Sequence, residues 1–339
     1  MSSLISFADA IADAKRRHAP LSILLGNGFS RAFDEAFAYS RLRDVAPMTG
    51  LAVAKDELFG HAASDDFETV IHNLEHSANL LKLYDPSNSP LRAKLLQDAE
   101  FVKSGLVDAL TKNHPRSASE IPPAKYGSVR QFLSHFGRVF TLNYDLLLYW
   151  AVLQHSSLSQ PSVVRKDGFG RPDPGGPLVW SLPENAGDQE IFYLHGAMHL
   201  YIDDGQLRKL ENSNGLIVDQ LKTNLEAGKY PLVVTEGSSI NKQARIARSA
   251  YLTYCHTQLS RSPGALFIHG MAMSENDQHI LNRIAKGAFD ALYVGLHGSP
   301  SLNCDMIRAH AEDLVRARNK AGRPTELQFY GAVTAQAWG

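Results

Sequence analysis

Residues 21–31 read Leu21-Ser22-Ile23-Leu24-Leu25-Gly26-Asn27-Gly28-Phe29-Ser30-Arg31, and the reading of this stretch decides the fold. A short β-rich run leads into a glycine turn, and a helix-compatible segment begins near Phe29. Strand, glycine turn and helix in that order point backbone N–H groups and the positive end of the helix dipole at a pyrophosphate. Gly26 can turn tightly, and Gly28 lets the backbone approach a phosphate. Arg31 stands where the dinucleotide fingerprint has its third glycine. By itself the stretch therefore reads equally well as a tight βα turn with no ligand.

Further β-rich runs occur at 138–142, 191–194, 232–235, 265–269, 291–295 and 327–330. Most lack polar alternation, which predicts strands covered on both faces, as in a parallel sheet. Stretches with helical spacing lie between most of them, at 144–155, 244–260, 276–288 and 301–320. Strand alternating with helix predicts an α/β fold built on a doubly wound, mostly parallel sheet.

Two insertions interrupt the pattern. The gap from about 40 to 125 is too long for a loop. Phe67, Val70, Ile71, Leu74, Leu81 and Tyr84 recur there at helical intervals, and 91–110 repeats the pattern after the Asp85-Pro86 to Ser89-Pro90 break. This predicts an inserted helical layer. Residues 161–188 are rich in Gly and Pro around 168–176, which predicts a long loop able to cover a pocket. A single domain over 1–339 accommodates both insertions.

Composition narrows the function classes. A net charge of -1 gives no chain-wide attraction to nucleic acid or an anionic membrane. Cys255 and Cys304 are the only cysteines, too few for a disulfide framework or a four-thiolate zinc site, so a reduced, cytoplasmic setting is expected. The first twenty residues scatter acids through an amphipathic pattern and read as a helix, not a signal peptide. The longest apolar run, Leu146 to Leu153, is far short of the roughly 20 residues of a membrane span.

Three more segments put polar groups at the ends of strands, where α/β sheets bind ligands. In Thr141-Leu142-Asn143-Tyr144-Asp145, Asn143 can hold a ribose or a water. Helix capping by Asn143 and Asp145 is the plainer reading of the same residues. In Tyr193-Leu194-His195-Gly196 the strand ends on a group able to exchange protons near neutrality, a natural general base or equally a structural histidine. His199 follows four residues on, but Gly196 interrupts the helix a metal pair would need, and no third ligand is evident. Gly270 again allows backbone approach to a nucleotide, while Ser274 and Asp277 have capping-box spacing.

The ordered set Gly26-Asn27-Gly28-Phe29-Ser30, Thr141-Leu142-Asn143-Tyr144-Asp145, Leu194-His195-Gly196 and Gly270-Met271-Ala272-Met273-Ser274-Glu275-Asn276-Asp277 resembles the SIR2-like family. It is similar in particular to a bacterial branch of short SIR2-like proteins once catalogued as a domain of unknown function. In that branch Val233-Val234-Thr235-Glu236-Gly237, Lys242 and Tyr251-Leu252 also have counterparts. The resemblance covers most of the chain, with the inserted layer loosely matched. It implies a sirtuin-like, Rossmann-like fold that binds NAD.

In sirtuins the matching glycine turn holds the NAD phosphates, the matching asparagine and aspartate lie at the nicotinamide ribose, and the matching histidine is the general base. The resemblance thus implies phosphate contacts at Gly26, Asn27, Gly28 and Ser30, ribose contacts at Asn143 and Asp145, and base chemistry at His195. Phe29, Thr141 and Gly270 belong to the same cofactor site in this reading. Deacetylating sirtuins carry a four-cysteine zinc module that this chain lacks, so no zinc is expected and deacylation is the least favoured activity. SIR2-like proteins of bacterial antiphage systems lack zinc and cleave NAD to nicotinamide and ADP-ribose. The resemblance therefore implies an NAD glycohydrolase with His195 and Asn143 as catalytic residues. A sensor or scaffold that binds NAD or ADP-ribose without turnover is the alternative. A homo-oligomer or an activating partner protein is expected on the same ground, with no membrane and no nucleic acid.

Overall fold

A computed structural model describes residues 4–37, 42–62, 67–112, 114–153, 165–183, 189–234, 239–298 and 301–339. The strands are β1 (Leu21–Leu25), β2 (Arg138–Thr141), β3 (Phe169–Gly170), β4 (Leu178–Trp180), β5 (Ile191–Tyr193), β6 (Gly196–Asp203), β7 (Gln206–Lys209), β8 (Pro231–Val233), β9 (Ala265–His269), β10 (Ala291–Leu296) and β11 (Glu326–Gly331). Six of them pair in parallel in the order β5-β2-β1-β9-β10-β11. Counted within the sheet this is 3-2-1-4-5-6, the doubly wound Rossmann order, and the strand order reverses between β1 and β9. Right-handed crossovers then put the helices of the two halves on opposite faces. Every residue of β1, β9 and β10 is buried, as continuous apolarity requires.

Helices seal the sheet by aromatic and aliphatic contact. Ser6 starts the helix Phe7–Arg17, its Oγ accepting from the Asp9 amide, and Lys15, Arg16 and Arg17 close its last turn against the dipole. That helix sets the Phe7 ring against Phe132, Phe267 and Tyr330 at centroid distances of 5.3, 6.1 and 5.6 Å. The helices Ala250–Arg261, Gln278–Ala285 and Leu302–Lys320 pack side by side in that order. Arg318 fixes the end of the middle one, its buried guanidinium donating to the carbonyls of Ile284, Gly287 and Phe289.

Between β1 and β2 the chain forms the helices Leu42–Val45, Lys55–His61, Phe67–Tyr84, Ser89–Thr111 and Pro123–Leu133. The two long ones lie against each other, separated at the proline break that the sequence shows.

Several expectations need correction. The segment read as a covering loop at 161–188 supplies β3 and β4 within its described residues, and these enter a second, antiparallel sheet of order β3-β4-β7-β6-β8. Glycine and proline there shape the ends of short strands. The run at 232–235 does not join the parallel sheet: Pro231–Val233 pairs antiparallel with β6, and Thr235, with Glu236 and Gly237, lies outside the described residues. The stretch 244–260 is two helices, Ser239–Ala247 and Ala250–Arg261, because Ser249 caps the second, its Oγ accepting from the Leu252 amide. Only Leu194 and His195 separate β5 from β6, so His195 stands at the corner between the two sheets.

Candidate functional site

The reversal point between β1 and β9 is where dinucleotides lie in doubly wound sheets, and here two turns meet backbone to backbone. Gly26 N donates to His269 O at 2.9 Å, and Gly28 N donates to Gly270 O at 2.7 Å. A Cβ on Gly28 would fall 2.6 Å from Gly270 Cα, and one on Gly270 2.7 Å from Gly28 Cα. Gly270 also has φ +72°, a left-handed conformation that other residues rarely adopt. The glycines are therefore demanded by the packing of the two turns. Phe29 N donates to Gly26 O, and the helix that follows, Asn27–Arg31, is short. The Phe29 side chain is in the core, 5.3 Å from Trp338 between ring centroids.

Asn143 ties the end of β2 to this turn. Its Nδ2 donates to Gly26 O at 3.1 Å and to Ser30 Oγ at 3.0 Å, while its own amide donates to Thr141 Oγ1 at 3.0 Å. Ser30 Oγ in turn donates to Asp145 Oδ2. Asp145 Oδ1 accepts from Leu147 N at 2.9 Å, at the start of the helix Leu147–Leu153. Capping thus falls to Asp145, and Asn143, which also reads as a cap in the sequence, bridges two strands instead. All four polar side chains are buried. The structure thereby brings Gly26, Gly28, Ser30, Thr141, Asn143, Asp145 and Gly270 into one bonded assembly, with Asn27 half-buried beside it.

His114 reaches the same place from the inserted helices. Its Nε2 accepts from Leu146 N at 3.1 Å, its ring stands edge-on to Trp150 at 5.4 Å, and burial pushes it down to about 4 against the pull of Asp145. No spacing in the sequence marks it.

His195 occupies the neighbouring strand end, one step across from Leu142, and its ring meets a second histidine. His195 Nε2 lies 2.7 Å from His279 Nε2, with the rings stacked at 5.0 Å and 18°. Burial holds His195 well below the ordinary histidine range, with smaller contributions from His279, Lys242 and His256. The Leu142 backbone opposes them by favouring the protonated ring. The two facing ring nitrogens share one hydrogen, its donor set by the tautomer. His256 closes the group: Nε2 is 2.9 Å from Leu194 O, its ring is 6.2 Å from His279, and burial pushes it down to about 4. Burial raises the Asp277 carboxyl while Lys242 pulls it the other way.

Gly196 holds this corner, with φ +71° and Leu232 O only 1.8 Å from where a Cβ would sit. His199 lies on β6 with its ring stacked on Tyr149 at 4.1 Å. The backbone between His195 and His199 is extended, not helical as a metal pair at this spacing needs. Among the described residues no three His, Cys, Asp or Glu side chains are grouped to hold a metal ion, and no helix is long and apolar enough to cross a membrane. Ser274 reaches the Asp277 carboxylate at 3.4 Å and makes no side-chain bond to the backbone, so the expected capping box is not formed.

No curated protein matches the chain. Residues 23–338, nearly the whole length, match the family described as a domain of unknown function, DUF4917, and the chain belongs to that family.

Proposed function

We propose that the chain is a SIR2-like protein that binds NAD across the β1–β9 reversal point and hydrolyses it to nicotinamide and ADP-ribose. The observation that carries this reading is the assembly of Gly26, Ser30, Asn143 and Asp145 at the carboxyl edge of a 3-2-1-4-5-6 sheet, with a buried histidine pair at the next strand end. The pyrophosphate lies over the turn at Gly26–Ser30 in this proposal, and the nicotinamide ribose lies toward Asn143 and Asp145. The glycosidic bond breaks with its electron pair going to the nicotinamide ring nitrogen, and a water oxygen bonds to the ribose carbon. The proton lost by that water goes to the neutral ring of His195, which His279 backs at 2.7 Å. By family likeness the activity serves bacterial antiphage defence, in an oligomer or with an activating partner.

The test is nicotinamide release by the purified chain given NAD, with His195→Ala and Asn143→Ala as controls. Release that disappears in both variants supports the proposal. Absence of release from the wild type, or release unchanged in the variants, defeats it. A second reading, NAD or ADP-ribose binding without turnover, draws on one observation: the His195 Nε2 that would take the proton already has a partner, His279, inside the protein. Calorimetry with ADP-ribose separates the two, since saturable heat without nicotinamide release is the signature of a sensor.

A further inference from the structure

A cleft of about 610 Å³ opens between the segment after the inserted helices and the turn following β7, with Arg116, Ser117, Ile121, Tyr126, Trp150 and Leu216 among its walls. Its volume is in the range of sites for small organic ligands. Trp150 lines it, and His114 packs behind Trp150. Trp150 is 1% exposed and its indole Nε1–H has no acceptor among the described residues. The His114 ring touches that indole edge-on. Because His114 Nε2 accepts from Leu146 N and burial keeps the ring neutral, the ring hydrogen is on Nδ1, which also has no partner among the described residues. A buried donor left without an acceptor is destabilising, so two side by side call for an acceptor.

The rim supplies the charge and the walls supply the shape. Arg116 brings a guanidinium to the mouth, and its backbone amide is held by Glu120 at 3.0 Å. Ile121, Tyr126 and Leu216 make the sides apolar. From these features we propose that the cleft binds a small organic carboxylate, its oxygens accepting from Trp150 and pairing with Arg116, and its apolar body lying along Ile121, Tyr126 and Leu216. His114 lies between this cleft and the proposed NAD site, and the test of the cleft involves no NAD.

The experiment uses the indole N–H resonances of the full-length chain labelled with nitrogen-15. The chain has three tryptophans. Trp180 Nε1 donates to Gln189 Oε1 at 3.2 Å and Trp338 Nε1 to Phe29 O at 2.9 Å, so Trp150 alone gains a partner on binding. Trp150→Phe assigns its signal; should that variant not fold, Trp180→Phe and Trp338→Phe assign it by elimination. Titration with benzoate is expected to move the Trp150 resonance saturably and leave the other two in place. Arg116→Ala, an exposed change, is expected to weaken the effect about tenfold, or 1.4 kcal/mol. Equal response to uncharged benzamide overturns the carboxylate assignment. No movement with benzoate overturns the site and leaves water as the acceptor of both donors.

Discussion

Asn143 Nδ2 donates to Ser30 Oγ at 3.0 Å across 113 positions of sequence, and the same amide group donates to Gly26 O. One side chain therefore holds β2 to the turn after β1. Asn143→Ala removes both bonds and leaves a buried carbonyl and a buried hydroxyl short of a donor, at a cost of about 1–3 kcal/mol. Urea denaturation is expected to show a lower midpoint with unchanged slope. Calorimetry is expected to show weaker ADP-ribose binding, and unaltered affinity would remove Asn143 from the proposed ribose site.

Gly28→Ala places a methyl group 2.6 Å from Gly270 Cα, where the neighbouring atoms are backbone and cannot swing aside. The expected loss is about 1–3 kcal/mol or more, read as a lower melting temperature with no ligand present. A variant as stable as the wild type would show that the two turns are not in this contact.

His279→Gln tests the histidine pair without emptying the site. The amide still reaches His195, but it cannot share the incoming proton. If the pair acts as one base, NAD cleavage falls mainly in kcat, and its pH profile moves, while KM stays near the wild-type value. A loss confined to stability, with an unmoved pH profile, would assign His279 a packing role only.

Acid should unfold the protein early. His114, His256 and His269 are pushed down to about 4 by burial, whereas an unfolded histidine titrates near 6.5. The unfolded chain therefore binds more protons between those values, and stability is full above about 6.5 and declines as pH falls toward about 4. Each ring accounts for on the order of 3 kcal/mol of that decline. Denaturant midpoints measured from neutral to mildly acid pH are expected to drop, and His256→Gln is expected to shallow the slope. A flat profile over that window would mean that the rings titrate normally.

The parallel sheet was legible because its strands are buried on both faces. The runs at 21–25 and 265–269 match β1 and β9 residue for residue, since each ends at a glycine turn. The second sheet was not legible. β3 has two residues and β4 three, too short to show a period, and β6 draws its partners from β7 on one side and β8 on the other. In the site, Asn143, Asp145 and Ser30 stood out by position, but whether Asn143 caps or bridges depends on Gly26 and Ser30, which lie far away in sequence. His279 looks like any residue on the inner side of its helix, and His114 belongs to a connection without pattern. Both reach the site only through tertiary packing.

The close seam at Gly26, Gly28 and Gly270 has a consequence for how anything enters the crevice. With amides and carbonyls already linked across it and no space for even a methyl group, the two halves of the sheet cannot slide apart to admit a guest. The base of the crevice is thus a rigid anvil. On the far wall only Leu194 and His195 join the parallel sheet to the antiparallel one, so the posture of the His195 ring is set by how the two sheets meet.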